Sequence, residues 1–122
     1  MQKLMKDDKV GMPPVFDAAE ALSIVDGDRD LFQELVALFR DSYAAELLAI
    51  REAIDRRDSE ALRRASHHLK GTLGTLAAGQ ARHTAVRLED LGNSDDFDPA
   101  PAVCVEMEQQ LRALDQALSG WR

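Results

Sequence analysis

The stretch from residue 29 to residue 56 constrains the fold more than any other. Its apolar residues recur at intervals of three and four, and no glycine or proline interrupts them. This spacing is typical of one face of an α-helix, and at 1.5 Å per residue the helix would be about 40 Å long. The apolar positions are Phe32, Leu35, Val36, Phe39, Tyr43, Leu47, Ile50 and Ile54.

The chain before this helix divides into a leader and a short helix. Residues 1–14 are polar and end in Gly-Met-Pro-Pro, which predicts a flexible leader or linker. Asp17 followed three residues later by Glu20 is a capping pattern, so a short helix is expected to begin there. It should stop near Asp26 and Gly27.

Aspartates also precede the next two helices. Asp28 can cap the long helix over residues 29–56, and Asp58 can cap a helix over residues 59–77. The very short connection between these helices predicts an antiparallel hairpin.

Two further helices are expected after the hairpin. Gly79 predicts a break, and residues 92–95 (Gly-Asn-Ser-Asp) predict a loop. Asp98 as an N-cap and Pro99 as the first helical residue predict the start of the last helix, which should end at about Ser119. The apolar row of the fourth helix consists of Ala81, Ala85, Leu88 and Leu91.

These elements predict an all-α domain over residues 15–120. Four longer amphipathic helices with short links favour an antiparallel up-down-up-down four-helix bundle, with the short N-terminal helix as an addition. Hydrophobic residues make up 45% of the chain and aromatic residues only 5%, so the core should be aliphatic. Phe39 and Tyr43 are expected to belong to that core.

Composition disfavours two classes of partner. The chain has 22 acidic and 15 basic residues, a net charge of −7, which disfavours nucleic acid and anionic membranes as partners. No run approaches 18 apolar residues and no signal-peptide pattern opens the chain, so a soluble cytoplasmic protein is expected. The lone Cys104 excludes an internal disulfide and should serve packing.

The helix after Asp58 places one histidine on an open face. His67 lies roughly 160° from the apolar stripe at 100° per residue, and Gly71 and Gly74 fall on the same outer face. Lys70 and Arg63 flank His67 on one side, and Arg64 flanks it on the other. The apolar stripe consists of Leu62, Ala65, Leu69, Leu73 and Leu76.

This arrangement suits an imidazole that a large partner must reach. Each glycine costs about 1 kcal/mol of helix stability relative to alanine, so two on one outer face need a functional reason. Lys70 and the arginines could stabilise a dianionic group on the ring. An imidazole keeps a nucleophilic nitrogen near neutral pH. The pattern therefore indicates a histidine that is phosphorylated.

The run His67-His68-Leu69-Lys70-Gly71 resembles the His-x-x-Lys-Gly signature of histidine phosphotransfer (Hpt) domains of bacterial two-component phosphorelays. The resemblance extends from Val15 to Leu118. Three residues depart from the family pattern: Ala77 replaces a second glycine, Ser66 replaces a frequent alanine, and Leu73 is bulkier than usual. The other matching segments are Phe16-Asp17, Gly27-Asp28, Leu35 to Phe39, Asp58 and Leu88-Glu89.

The resemblance implies a phosphocarrier without kinase or ATPase activity of its own. His67 would accept a phosphoryl group from a receiver-domain aspartate and pass it to another receiver. Lys70 would balance the phosphoryl charge, Gly71 and Gly74 would give clearance for docking, and Arg63 and Arg64 are possible accessory cations.

The same resemblance implies the partners and the setting. No cofactor is expected on this chain, because Mg²⁺ would be held by the partner. The partners would be receiver domains of response regulators or of a hybrid histidine kinase, and this protein would be a monomer. It would be free-standing or a cytoplasmic C-terminal module of a membrane-bound hybrid kinase.

Two alternatives remain at this point. One is a helical interaction module that binds a receiver or another signalling protein without being phosphorylated. The other is a metal site made from His67, His68 and His83, which is disfavoured because adjacent histidines point about 100° apart on a helix.

Several side chains near the motif are assigned ordinary structural roles. His68 is expected to pack at the boundary with a neighbouring helix, and His83 to be structural or solvated. Glu89 and Asp90 are expected to be solvated acids.

Overall fold

The computed structural model describes residues 14–121, so the predicted leader lies outside the described residues apart from Pro14. Residues 14–121 form five helices and contain no strand, which confirms the predicted all-helical class. None of the helices in this range combines the length and apolar character needed to cross a membrane. The helices are α1 (Ala18–Ile24), α2 (Arg29–Arg56), α3 (Ser59–Thr75), α4 (Gly79–Ser94) and α5 (Ala100–Ser119).

The four longer helices pack in a closed ring. Helix α3 contacts α2 and, most extensively, α4; α5 contacts α4 and closes the ring against α2, and α1 packs on α2. The core between them is mainly aliphatic, as predicted, with Phe32 and Phe39 fully buried. Tyr43 is half-buried, and its hydroxyl donates a hydrogen bond to Asp115 Oδ2 at 3.3 Å. The prediction of a core role is therefore confirmed for Phe39 and only partly for Tyr43.

The predicted aspartate caps begin the first three helices. The side chain of Asp17 accepts a hydrogen bond from the backbone N–H of Glu20 at 3.1 Å. Asp28 and Asp58 each accept one from the residue three positions later, at 3.0 Å in both cases. These contacts satisfy N–H groups that the first turn of a helix leaves without a partner.

Helix α3 ends two residues earlier than predicted, at Thr75. The chain breaks at Ala77, which has a left-handed backbone with φ +55°, and Gly79 is the first residue of α4. Glycine adopts this conformation at the least cost, which explains the glycine that the family usually has at this position. Ala77 adopts the same conformation with backbone strain. The Ala77 carbonyl accepts a hydrogen bond from the backbone N–H of Asp17 at 3.2 Å, which ties the turn to the start of α1.

The prediction of a loop over residues 92–95 is wrong. Gly92 to Ser94 continue α4, and the helix ends at Ser94, followed by Asp95 as a left-handed C-cap with φ +54°. Gly92 is buried, and a Cβ atom there would lie 2.8 Å from the backbone nitrogen of Arg63. This glycine therefore serves the close approach of α4 to α3 and does not form a turn.

The start of the last helix also differs from the prediction. Helix α5 begins at Ala100, and Pro99 occupies the N-cap position without a side-chain cap. Asp98 does not cap the helix; its backbone N–H donates to Asp96 Oδ1 at 3.2 Å, inside the preceding turn. The proline at the second helical position is Pro101.

Substitution of Gly92 tests the close contact between α3 and α4. Gly92→Ala should lower the free energy of unfolding by about 1–3 kcal/mol, because the new methyl group meets backbone that cannot rotate away. Gly71→Ala is the matched control: no atom lies within 4 Å of its Cβ position, so it should raise stability by about 0.4–1 kcal/mol. Urea denaturation followed by circular dichroism measures both, and equal effects would contradict the proposed contact.

Candidate functional site

His67 lies on the solvent side of α3, as its helical position predicts. Its side chain is 63% exposed. Gly71, one turn later, is exposed and has no atom within 4 Å of a Cβ position. The surface next to the ring in this direction is therefore bare backbone, open to a large partner.

The imidazole of His67 is held from α4. Its Nδ1 lies 2.7 Å from Oε2 of Glu89, and the Glu89 side chain is only 13% exposed. An ionised carboxylate can only accept hydrogen bonds, so Nδ1 carries the proton and donates it. In the neutral form of the ring, the lone pair is then on Nε2, at the end farther from the backbone.

Lys70 completes a three-residue cluster on the same carboxylate. Its Nζ lies 2.8 Å from Oε1 of Glu89, so the two oxygens of Glu89 bind two different side chains of α3. The hydrogen bond from Lys70 holds the pKa of Glu89 below its ordinary value; the His67 hydrogen bond acts in the same direction, and burial opposes both. Glu89 is therefore a carboxylate at neutral pH, next to one cation and one imidazole.

The prediction that Glu89 is a solvated acid is wrong. Glu89 lies one turn after the buried Ala85 and one turn before the buried Gly92, on the side of α4 that meets α3. The sequence signal for this position is Gly92, because a glycine inside a helix can mark a close contact with a neighbouring helix. Asp90 is exposed, as predicted.

The two arginines near His67 occupy different surroundings. Arg63 forms an ion pair with Glu60 on its own helix at 2.7 Å, so its guanidinium is already engaged. Arg64 is exposed and forms no ion pair with any residue between 14 and 121. It lines a groove between α2 and α3 together with His68.

Gly74 differs from Gly71 in its surroundings. A Cβ atom at Gly74 would lie 3.4 Å from Nε of Arg82, which reaches across from α4. The outer face of α3 is therefore bare at Gly71 and covered by an arginine side chain at Gly74.

The other histidines do not join the cluster around Glu89. His68 lies at the boundary with α2, as predicted, where its Nδ1 is 3.4 Å from Oε1 of Glu46, but its ring is 72% exposed and does not pack there. His83 is exposed. Within residues 14–121, no group of three or more His, Cys, Asp and Glu side chains is arranged to hold a metal ion.

Two departures from the family pattern at Ser66 and Leu73 lie in the core. Both residues are completely buried. The Ser66 hydroxyl has no hydrogen-bond partner among the described residues. Alanine, which is frequent there in the family, would leave no such polar atom in the core.

Comparison with known proteins gives one sequence family and one similar structure. The family model described as the Hpt domain matches residues 34–119, a range that contains His67, Lys70 and Glu89. The fold is similar to the crystal structure of histidine-containing phosphotransfer protein B from Pseudomonas aeruginosa PAO1. The TM-score is 0.79 at 22% identity, covering 89% of this chain and 98% of that chain. Comparison with curated proteins gave no match.

The pH dependence of stability tests the environment of Glu89. Since its pKa is lowered in the folded state, Glu89 adds stability above the pKa of the unfolded chain. This contribution is lost as the pH falls through the lower folded pKa. Glu89→Gln, which resembles the protonated side chain, should therefore be less stable than wild type at neutral pH. The difference should shrink as the pH falls below about 4.5.

Urea midpoints measured from neutral to acidic pH check this expectation. Asp90→Asn, an exposed acid on the same helix, is the control and should follow wild type at every pH. A stability difference for Glu89→Gln that does not change with pH would contradict the assigned ion pair.

Proposed function

This chain belongs to the Hpt domain family, and from that premise we propose that it relays phosphoryl groups between receiver domains through His67. Membership of the family supports a phosphotransfer role in two-component signalling. The observation that carries the residue assignment is the exposed imidazole, whose Nδ1 donates to Glu89 at 2.7 Å and leaves Nε2 as the nucleophile.

In the proposed reaction, Nε2 of His67 attacks the phosphorus of an aspartyl phosphate on the partner. The nitrogen–phosphorus bond forms while the bond from phosphorus to the aspartyl oxygen breaks, and the aspartate leaves as a carboxylate. The ring then holds a phosphoryl group on Nε2 and a proton on Nδ1. Attack by the carboxylate of a second receiver reverses these steps and returns the neutral ring.

Glu89 and Lys70 have complementary roles in this scheme. The phosphorylated ring carries a positive charge, which the Glu89 carboxylate stabilises through the Nδ1 hydrogen bond. Lys70 places its ammonium group at 2.8 Å from the same carboxylate, where it can balance the negative phosphoryl group. Gly71 leaves bare backbone for the approaching receiver. Arg63, paired with Glu60, is a supporting charge at most.

The partner supplies the remaining chemistry. In-line transfer from an aspartyl phosphate needs charge stabilisation by Mg²⁺, which the receiver would hold, so this chain needs no cofactor. It acts as a phosphocarrier without kinase or ATPase activity. Its partners are receiver domains of response regulators or of a hybrid histidine kinase, and neither nucleic acid nor membrane contact is required.

The proposed working unit is a monomeric domain over residues 15–120, in which α2 to α5 run alternately up and down. The ion pairs between α2 and α5 support this direction: Arg40 pairs with Asp115 and Arg51 with Glu108, so residue numbers rise in one helix as they fall in the other. The setting is the bacterial cytoplasm, either as a free protein or as a module of a hybrid kinase.

Transfer of label from a phosphorylated receiver tests the site. Wild type and His68→Gln should acquire an acid-labile, alkali-stable label, and His67→Gln should acquire none. His68→Gln is a matched control because His68 is the more exposed ring on the same helix. Loss of label only in His68→Gln would overturn the assignment, and binding without labelling of wild type would favour the interaction-module alternative.

Replacement of Lys70 tests its charge. Lys70→Met should slow transfer from the receiver to His67 by about tenfold or more, because one preorganised cation is lost near the transferring group. Lys70→Arg should restore part of the rate. Urea denaturation of both variants separates this effect from a loss of folding. Equal rates for Lys70→Met and wild type would remove Lys70 from the mechanism.

A further inference from the structure

Arg82 reaches from α4 onto the outer face of α3. Its Nε and Cδ lie 3.4 Å and 3.6 Å from the position that a Gly74 Cβ would occupy, so the side chain lies against bare helix backbone. Arg82 is exposed and forms no ion pair within residues 14–121. It lines a surface depression with Asp17 and Glu20, yet neither acid pairs with it.

The cations around His67 therefore fall into two groups. Lys70 and Arg63 are held by acids of this chain, Glu89 and Glu60. Arg64 and Arg82 are exposed and form no ion pair within the described part of the chain. Lys70 and Arg63 are therefore already paired, whereas Arg64 and Arg82 are available to a partner.

The two available arginines lie on opposite sides of His67 along the helix. Arg64 precedes His67 by three residues, and Arg82 crosses α3 at Gly74, seven residues after His67. At 1.5 Å per residue these offsets are about 4.5 Å and 10.5 Å along the axis. A surface that docks over His67 would meet a guanidinium at each end.

We infer that Arg64 and Arg82 bind carboxylates on the rim of the receiver's phosphorylation site. This inference rests on the function proposed above. A receiver that holds Mg²⁺ and an aspartyl phosphate needs acidic side chains around that site, and guanidinium groups pair well with carboxylates. Because the chain carries a net charge of −7, an acidic partner is repelled at long range, and exposed arginines beside His67 offset this repulsion locally.

The position of Arg82 fits docking better than contact with the phosphoryl group. Its side chain contacts α3 at Gly74, two turns beyond His67. Lys70 and Glu89 already occupy the side of the ring toward α4. Exposed charges at the edge of an interface act mainly on the association rate and its salt dependence. Arg64 and Arg82 are therefore specificity residues for the partner rather than parts of the reacting group.

The test measures phosphoryl transfer from a receiver with Arg64→Gln, Arg82→Gln and the double variant. Each single change should lower the second-order transfer rate about three- to tenfold at low salt, and in the double variant added salt should no longer slow transfer. Arg87→Gln is the matched control: Arg87 is on the same helix as Arg82, but Glu106 holds its guanidinium at 3.0 Å.

A second donor separates docking from chemistry. Phosphoramidate, a small phosphoryl donor, should label His67 equally in wild type and all arginine variants. If the Arg64 and Arg82 variants accept the phosphoryl group from the receiver as fast as Arg87→Gln does, the inference is overturned and His67 remains the proposed carrier. A parallel loss of phosphoramidate labelling would also overturn it, because the arginines would then act on the ring. Absence of receiver-dependent label in wild type would instead refute the proposed function.

Discussion

The site depends on one carboxylate that joins two helices. Glu89 projects from α4 and binds both His67 and Lys70 of α3, at 2.7 Å and 2.8 Å. Without it, the ring would be an exposed side chain free to rotate and free to exchange tautomers. With it, Nδ1 is committed as a donor, and Nε2 is left as the nucleophile that we propose. The reactivity proposed for a residue of α3 is therefore determined by a residue of α4.

That carboxylate can only reach the ring if α3 and α4 approach closely. Gly92 permits this approach, because any larger residue would place its Cβ 2.8 Å from the Arg63 backbone. Gly92 and Glu89 lie one turn apart on α4, so the contact that brings the helices together is next to the contact that orients the histidine. The packing contact and the contact to His67 are thus coupled over a single helical turn.

The sequence predicts the helices well where the signal is local. Aspartate caps and apolar spacing located the starts of α1, α2 and α3, because both depend on neighbours within one or two turns. The predictions for Gly92 and Glu89 are wrong, because a contact with a helix distant in sequence favours a glycine inside α4 and shields an acid from solvent. The left-handed turn at Ala77 cannot be predicted from this sequence alone, because alanine does not indicate a positive φ. The indication is that related domains usually have a glycine at this position.

Exposure alone does not distinguish His67, the proposed phosphoacceptor, from His68. His68 is more exposed than His67, at 72% against 63%, and it also faces a glutamate of a neighbouring helix. Its Nδ1 is 3.4 Å from Glu46, however, and the only hydrogen bond that Glu46 accepts from a described side chain comes from Ser42. His67 has the shorter contact and shares its carboxylate with a lysine ammonium. The difference between the two adjacent rings is thus made by helix α4, which supplies the acid that holds His67, the residue we propose as the phosphoacceptor.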